Sequence, residues 1–394
     1  MAGMVTLCRN DGRIGQLSSW PHETTNGTQE QSRWQRRTEK RRQRTEELLH
    51  SIEEGTSLSL LPTQPSEALN NLKIPTLGIP QTIDWDEINW ELDPIRGGQL
   101  QQGSQRGLRK RAQVEAFHFV VSEIVKTLQC TNGDVTIIDA GCGAGNLAIS
   151  LAGLSYSNIS NCNVKVLAVD VNEHALTRLS KRAGPILSPQ QLETCCADLA
   201  NYAFILSKIP ANHSIIVVSL HACGAASDMA MKLAIHANAP FVICPCCTAK
   251  SLTKRLPADT GKRTTFDLNA SFQRSGASDD IEYPRSKWLM NKLYDNSEVV
   301  MSLEEKYTLL AKVADAGLGT KTPSQIRQQQ ARAKKIVELD RLLAASEGHG
   351  YDVRLMRIRN HDPLVYSKGD LLIGGQGLFE VLINLPEEDE INNR

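Results

Sequence analysis

The chain has 394 residues, 41% of them hydrophobic, which suits one large domain with extensions. Its 44 basic and 44 acidic residues give a formal net charge of zero, so overall charge is no argument for or against a nucleic-acid partner. No apolar run reaches the roughly 20 residues of a membrane span, and polar residues near the start argue against a signal peptide. We therefore expect a monomeric protein that binds no membrane, keeps its ten cysteines reduced and is cytoplasmic, with a nuclear location as the alternative.

Residues 1–97 differ in composition from the rest of the chain. They are polar and contain a dense basic run, Arg33–Arg44, which Leu48, Leu49 and Ile52 extend into one short helix. Because the segment has few apolar residues at a regular period, we predict a largely disordered tail and linker. The basic run fits contacts to RNA phosphates, a nuclear signal or a solvated helix face.

Residues 98–394 are predicted to form the folded domain. Apolar residues at helical spacing indicate a helix over 106–128. After it, short apolar runs alternate with helical segments, which is typical of parallel βαβ units in an α/β, doubly wound, Rossmann-like sheet of seven strands. The first five strands are predicted over 135–138, 164–169, 192–197, 215–220 and 241–243.

A helical and loop-containing insert, 251–346, is predicted before the last two strands. Two capping boxes indicate helix starts within it, one over Ser302–Glu305 and one over Thr322–Gln325, the second with proline at the first helical position. Apolar and β-branched residues then predict the last two strands over 351–358 and 378–385.

A glycine-rich turn follows the first predicted strand. It contains Gly141, Gly143 and Gly145, and Asp139 lies two residues before the first glycine. A dinucleotide site has the pattern G-x-G-x-x-G, whereas here the third glycine comes one residue early. A carboxylate at this place would repel a phosphate but suits a ligand with a protonated amine and a sulfonium. S-adenosylmethionine is such a ligand.

Two more carboxylates follow the next two strands. Asp170 can accept hydrogen bonds from both ribose hydroxyls, and Asp198 can accept one from the adenine amino group. Either residue alone is explained equally well as a helix N-cap. Three acidic positions on successive strands, at the edge where open α/β sheets bind ligands, favour the cofactor. The predicted S-adenosylmethionine-binding residues are therefore Asp139, Gly141, Gly143, Gly145, Asp170 and Asp198.

These residues resemble the cofactor signature of class I methyltransferases. Ser219–Gly224, with Asp228, and Cys244–Cys247 are similar to the methyltransferase domain of the glutathione S-transferase C-terminal domain-containing proteins and, more distantly, to tRNA 2′-O-methyltransferases. The resemblance covers about 98–385 and implies a methyltransferase, without implying its substrate. The region before it departs from that group, since it shows no glutathione transferase-like sequence. Further matching segments are Arg109–Gln113, Tyr283–Ser286, Glu338–Arg341 and Ser367–Leu372.

His221 ends the fourth predicted strand, where this class places groups that face the substrate. Methyl transfer is an in-line displacement that needs a positioned acceptor and, where the acceptor carries a proton, a base. His221 is the candidate base, since the ordinary pKa of histidine lies near neutrality. A buried histidine that only bonds the backbone is an equally good explanation. Asp228 is predicted either to orient a loop or to cap a helix over 229–237, and we favour the cap.

Cys223, Cys246 and Cys247 follow the fourth and fifth strands and are predicted to converge beside His221. Three roles are open: small pocket-lining residues, zinc ligands together with His221, or a covalent nucleophile toward a pyrimidine ring. We favour pocket lining, which implies no metal. The four residues are the candidate catalytic group.

Basic residues precede the first strand and suggest an anionic substrate over the cofactor mouth. The predicted substrate contacts are Arg109, Lys110 and Gln113, with Arg285 from the insert. RNA is the first substrate expectation, ahead of protein and small molecules. The competing function is an inactive methyltransferase-fold scaffold, which the intact glycine loop disfavours. A nucleotide-binding oxidoreductase is disfavoured by the glycine spacing.

Overall fold

The computed structural model describes most of the chain, which divides into two units, residues 1–42 and 43–394. The sheet lies within the second unit. The described ranges are 33–59, 66–80, 83–154, 156, 163–222, 224–247, 281–295, 301–315, 322–364 and 368–392. Within them, no helix combines the length and the apolar character needed to cross a membrane.

A mixed sheet of seven strands forms the centre of the second unit. The strands are β3 (Val135–Ala140), β4 (Val164–Asp170), β5 (Leu192–Cys196), β6 (Ser214–Leu220), β7 (Phe241–Cys244), β8 (Asp352–Arg357) and β9 (Asp370–Gly375), after a small antiparallel pair, β1 (Ser57–Leu58) and β2 (Glu67–Ala68). Their order across the sheet is β5-β4-β3-β6-β7-β9-β8. The first five are parallel and β9 runs antiparallel to both neighbours, which confirms the predicted doubly wound class.

Helices cover both faces of this sheet. The helices of the described residues are α1 (Arg33–Glu53), α2 (Gln105–Asn132), α3 (Asn146–Gly153), α4 (Glu173–Ala183), α5 (Tyr202–Leu206), α6 (Ala226–His236), α7 (Lys287–Asp295), α8 (Leu303–Ala314), α9 (Ser324–His349), α10 (Phe379–Ile383) and α11 (Glu388–Asn392). Successive strand side chains point to opposite faces. Ile137 accordingly packs in one apolar cluster with α2 and α3, and Ile138 packs in the other with α6 and the insert helices. Burial on both faces explains why the central strands are mostly apolar.

The prediction of a largely disordered segment before residue 98 is wrong for the described residues of the second unit. Leu48, Leu49 and Ile52 of α1 are buried in the same cluster as α9. The Arg332 guanidinium of α9 also pairs with Glu53 at 2.5 Å. Three apolar residues are too few to form a visible stripe in a polar segment, and the surface that buries them comes from distant sequence.

The predicted insert is helical where the structure describes it, as α7, α8 and α9, and residues 251–280 lie outside the described residues. The capping box at the start of α8 is confirmed, because the Ser302 side chain accepts from the Glu305 backbone N–H and the Glu305 side chain bonds back. The second box is wrong. Helix α9 begins at Ser324 with Pro323 at the N-cap, and no side-chain hydrogen bond caps it.

The last strand was predicted in the wrong place. Residues 378–385 contain helix α10 instead, since Leu378, Leu382 and Leu385 repeat at helical spacing and are buried together. The actual last strand, β9, has a short apolar run ending in two glycines. A Cβ on Gly374 would lie 2.5 Å from the ring of Phe241, so close approach to β7 requires glycine there.

Candidate active site

The carboxyl ends of the parallel strands bring the predicted cofactor residues to one edge of the sheet. Asp139 is in register with Ala168 of β4 and Val218 of β6. The glycine loop after β3 is tied to β4, because the Gly141 N–H donates to the Val169 carbonyl at 2.9 Å. The order of the sheet therefore places the loop between the ends of β4 and β6.

The three loop glycines all have left-handed backbone, with φ of 77°, 55° and 80°, but for different reasons. A Cβ on Gly145 would lie 2.5 Å from Leu179, and a Cβ on Gly141 would lie 3.2 Å from that of Ala222. Among the described residues, a Cβ on Gly143 would meet nothing within 4 Å. Gly141 and Gly145 thus allow the loop to pack, whereas Gly143 leaves open space against which a ligand can lie.

Asp139 is a buried carboxylate that fits a cationic ligand. Its Oδ2 atom has no hydrogen-bond partner among the described residues, although unpaired buried oxygens are costly. Burial raises the pKa of Asp139 to about 7, and the charge of Asp170 adds to the rise. A protonated amine beside this carboxylate would favour its charged form. The orphan oxygen and the open space at Gly143 therefore fit S-adenosylmethionine.

Asp170 and Asp198 are not helix N-caps, which settles the alternative left open above. Asn172 caps α4 and Asn201 caps α5. The Asp170 carboxylate instead accepts from the Gly143 N–H at 2.8 Å and so holds the loop. Asp198 accepts from the Ala200 N–H in the loop after β5. The contact of Asp198 with adenine stays a prediction.

Residues 91–98 pack against the start of α3, directly after the glycine loop, a contact that the sequence did not predict. Arg182 donates to the Asn146 side chain at 2.6 Å and to the Glu91 carbonyl at 2.7 Å, joining this segment to the start of α3. The adjacent glycines Gly97 and Gly98 could have predicted a tight turn in this segment. A Cβ on Gly97 would lie 2.5 Å from the Glu91 carbonyl oxygen, so the turn needs glycine.

His221 lies on the other side of the glycine loop, with a left-handed backbone φ of 64°. Its Nε2 is 3.2 Å from Oε1 of Gln113, whose Nε2 is 3.3 Å from Nε2 of His361. Burial, together with the charges of Lys110 and Lys368, lowers the pKa of His221 to about 3. His221 is therefore in its neutral, proton-accepting form, and its assignment as the base stays a prediction. His361 was missed, since no local pattern distinguishes it.

The predicted substrate contacts on α2 share one helix face with Arg106. Arg106, Arg109, Lys110 and Gln113 follow an i, i+3, i+4, i+7 spacing, and the Gln113 side chain meets His221. Burial lowers the pKa of Lys110 to about 8, with Arg106 and Lys368 contributing. The face directed toward His221 is thus strongly cationic.

Two of the three predicted cysteines lie beside His221. The Cys246 thiol donates to the His221 carbonyl at 3.7 Å, and its sulfur is 3.6 Å from that of Cys247. The Gly224 N–H donates to the Cys247 sulfur at 3.3 Å. Both thiols are buried, as pocket lining requires. Cys223 lies outside the described residues; within those residues, no group of three or more His, Cys, Asp or Glu side chains could hold a metal ion.

Arg285 and Asp228 do not join this site. Helix α6 begins at Ala226, so Asp228 lies within its first turn instead of capping it. The Arg285 guanidinium is buried and bonds Asp228 at 2.6 Å and Asp340 at 3.1 Å. These pairs contradict the prediction that Arg285 meets substrate, because its donors are directed at carboxylates inside the protein.

Asp139→Asn is expected to stabilise the cofactor-free protein at pH 8 while weakening S-adenosylmethionine binding about tenfold. The pKa of Asp139 is about 7 in the folded state, above its unfolded value, so the associated stability is present at acidic pH and lost as pH rises through 7. The amide carries no charge and avoids this loss. Melting temperatures between pH 5 and 8, with calorimetry, measure both effects.

The matched control is Asp86→Asn at an exposed carboxylate, which should change neither quantity. A lower melting temperature for Asp139→Asn at pH 8 would contradict the assignment of Asp139 as an uncompensated buried charge.

Comparison with known proteins agrees with this geometry. Residues 109–254 match the family model of a methyltransferase domain. The chain is 28% identical over 295 residues to the human glutathione S-transferase C-terminal domain-containing protein, covering 74% of this chain and 37% of that protein. The Drosophila melanogaster homologue is 27% identical over 297 residues, covering 75% and 40%. The chain thus spans less than half the length of these curated relatives.

Solved structures include a magnesium protoporphyrin IX methyltransferase from Synechocystis with bound SAH, which is 13% identical with a TM-score of 0.29 and covers 68% of this chain and 87% of that one. The evidence for a methyltransferase domain is the matched family model, the strand order and the loop with its carboxylates. Together they indicate that residues 109–254 are similar to a methyltransferase domain, and the loop with its carboxylates fits S-adenosylmethionine as the cofactor.

Proposed function

We propose that this chain methylates RNA, using S-adenosylmethionine as the methyl donor. The observation that carries the proposal is the cationic face of α2, on which Arg106, Arg109 and Lys110 lie on the same side as Gln113, the residue that meets His221. An acceptor bound at His221 would lie close to this face, since Lys110 already acts on the charge state of His221. A phosphate-bearing acceptor is favoured there, because it would compensate the clustered positive charge.

The cofactor side of the site would be formed by the ends of β3, β4 and β5. Asp139 would compensate the charge of the ligand amine, Gly143 would allow backbone approach, and Asp170 would hold the loop and face the ribose. When bound, S-adenosylmethionine supplies an electrophilic methyl group on its sulfonium. Asp198 is assigned to the adenine side because it follows the next strand outward.

The substrate side would be formed by the ends of β6 and β7. His221 is neutral, so its imidazole can accept a proton from a hydroxyl or amine acceptor. Cys246 and Cys247 are buried, and their thiols would line this side and exclude water. Transfer to oxygen or nitrogen needs no covalent bond to the enzyme, so pocket lining is sufficient for these residues.

An RNA acceptor is favoured over a small anion by a second basic feature. In the first unit, Arg36, Arg37, Lys40 and Arg41 of α1 are exposed, and they form part of a run of basic residues. Such a run attracts an extended polyanion more than a single phosphate, because each phosphate contact releases counterions.

The test is methyl transfer from labelled S-adenosylmethionine to RNA and to protein from cells lacking the gene. The full chain is expected to label RNA, and Lys110→Ala should reduce the slope of log affinity against log salt by about one. Lys126→Ala, on the same helix but paired with Glu123, should leave that slope unchanged.

Each other outcome counts against the proposal. Label in protein alone would mean a protein acceptor. Binding of S-adenosylmethionine without transfer to any fraction would indicate an inactive scaffold.

A further inference from the structure

Three side chains from distant parts of the chain form a line of hydrogen bonds that ends at His221. Nδ1 of His361 is 2.8 Å from the Arg359 carbonyl oxygen. Nε2 of His361 is 3.3 Å from Nε2 of Gln113, and Oε1 of Gln113 is 3.2 Å from Nε2 of His221. Gln113 and His361 are both buried, where an amide or imidazole is stable only when hydrogen-bonded.

The contact between His361 and the Arg359 carbonyl determines which atom donates and which accepts in the other hydrogen bonds of the line. A carbonyl oxygen can only accept, so Nδ1 of His361 carries the proton. Burial lowers the pKa of His361 to about 4, so the ring is neutral and its Nε2 must accept. The Gln113 amide nitrogen therefore donates to His361, and its oxygen is left to accept from His221. Nε2 of His221 carries the proton, and Nδ1 carries the lone pair.

We propose that Gln113 and His361 are positioning residues that hold His221 in the Nε2–H tautomer, so that Nδ1 takes the proton released by the methyl acceptor. The proton-accepting half of this proposal rests on the proposed function. In this step the acceptor atom gains a bond to the methyl carbon, and the carbon–sulfur bond breaks with its electron pair left on sulfur. The acceptor's proton passes to Nδ1.

The surroundings show that this arrangement is built into the fold. The His221 N–H donates to the Cys244 carbonyl at 3.1 Å, which holds the backbone of the histidine against β7. A Cβ on Gly369 would lie 2.2 Å from the Cβ of His361, so glycine at this position is what admits the His361 ring. Both ends of the line are therefore held independently of the amide between them.

The groups around His221 keep it in the neutral form. Burial lowers its pKa, and so do Lys110 from α2 and both Lys368 and His361 from the segment between β8 and β9, while Cys247 after β7 opposes them. The base form is present at every pH well above about 3. The rate of transfer is therefore expected to show no histidine step near pH 6.5.

The experiment uses the full chain with ¹⁵N-labelled histidine. One-bond proton coupling identifies which nitrogen of His221 is protonated, and the signal is assigned with His221→Ala. We expect Nε2–H in the wild type and loss of this single tautomer in Gln113→Leu and His361→Leu. In His361→Gln the new amide oxygen can replace Nε2 as the acceptor, so this variant should retain the tautomer.

Activity provides the second measurement. Gln113→Leu and His361→Leu should lower kcat by roughly tenfold to 100-fold with little change in KM for S-adenosylmethionine, because they misplace a proton acceptor without touching the cofactor. His361→Gln should recover most of the loss. His174→Leu, at an exposed histidine of α4, is the control and should have no effect. Melting temperature and S-adenosylhomocysteine binding show that each variant is folded.

An Nδ1–H tautomer in the wild type, or a tautomer and kcat that survive in folded Gln113→Leu, would overturn the proposal. Failure of the proposed function is a separate result, seen as no methyl transfer by the wild type. In that case the ¹⁵N spectrum still decides the tautomer, and a protonated Nε2 would support the hydrogen-bond assignment.

Discussion

Replacing Arg341 with Met is expected to lower the free energy of unfolding by about 3–5 kcal/mol. Arg341 is fully buried on α9. Its Nε donates to Asp228 at 2.9 Å and its Nη1 donates to Glu338 at 2.5 Å. Met fills a similar volume but leaves two buried carboxylates without this partner, and a buried charge that loses its partner keeps its full desolvation cost.

The cluster around Arg341 is balanced in charge, which is why removing one member has a large effect. It joins α6 to the insert. Asp340 also accepts from the Ser286 backbone N–H at 2.9 Å, so the segment before α7 is held by the same group. The three cations and three carboxylates are Arg285, Lys334 and Arg341 with Asp228, Glu338 and Asp340.

The defect of Arg341→Met should depend on pH. Burial alone would raise the pKa of Asp228, but the guanidinium groups of Arg285 and Arg341 hold it at about 2. A carboxyl group with a lowered pKa contributes stability above its unfolded pKa of about 3.9, and that stability is lost as pH falls toward 2. The difference between variant and wild type should therefore be largest at neutral pH and smaller near pH 4.

Urea unfolding at pH 7 and pH 4 measures this effect. Arg178→Met, at an exposed arginine of α4, is the matched control and should change stability by less than about 0.5 kcal/mol. Adding Asp228→Asn should recover part of the loss, since it removes one of the stranded charges. A loss below about 1 kcal/mol for Arg341→Met at pH 7 would show that the cluster does not hold the insert in place.

Replacing Gly143 with Val is expected to weaken S-adenosylhomocysteine binding by at least about 100-fold, or about 2.8 kcal/mol. A Cβ at this position would meet nothing within 4 Å among the described residues, so the side chain would fill the open space at the residue whose N–H donates to the Asp170 carboxylate. Backbone approach to a ligand at a strand–helix turn depends on a glycine of this kind. Titration calorimetry measures the affinity.

The control for Gly143→Val must reproduce the backbone strain, since valine is unfavourable at φ 55°. Gly55 has φ 61° and also has nothing within 4 Å among the described residues. Gly55→Val should lose stability to a similar extent but keep wild-type affinity. Wild-type affinity in Gly143→Val, or tight binding of NAD by the unmodified chain, would show that this loop does not bind the proposed cofactor.

Elements with a local pattern were predictable from the sequence. The strands β3, β4, β6 and β7 are mostly apolar, and the glycine loop with Asp139 and Asp170 follows its strands at fixed spacing. The capping box at Ser302 is complete within four residues and was found for the same reason. In β9 only three apolar residues precede two glycines, a run too short to distinguish from a loop.

The parts that could not be predicted depend on residues far apart in the chain. Gln113 meets His221 across 108 residues and His361 across 248, so no window of sequence contains the line of hydrogen bonds. The same is true of Arg285, whose basic character suggested an anionic substrate before its carboxylate partners were known. A charged residue has the same sequence signature in a binding site and in a buried ion pair.

The amino-acid sequence by itself determined the class of this protein, because the parallel sheet and the cofactor loop are encoded by short-range periodicity and by glycines that local backbone geometry requires. Only the tertiary structure decided which polar groups are buried together. It placed Leu49 of α1 in the core, assigned Arg341 to a structural ion cluster and buried His221 beside cations, which together keep it neutral. Burial and electrostatic environment arise from packing between distant segments, and these set the pKa and partners on which the chemistry depends.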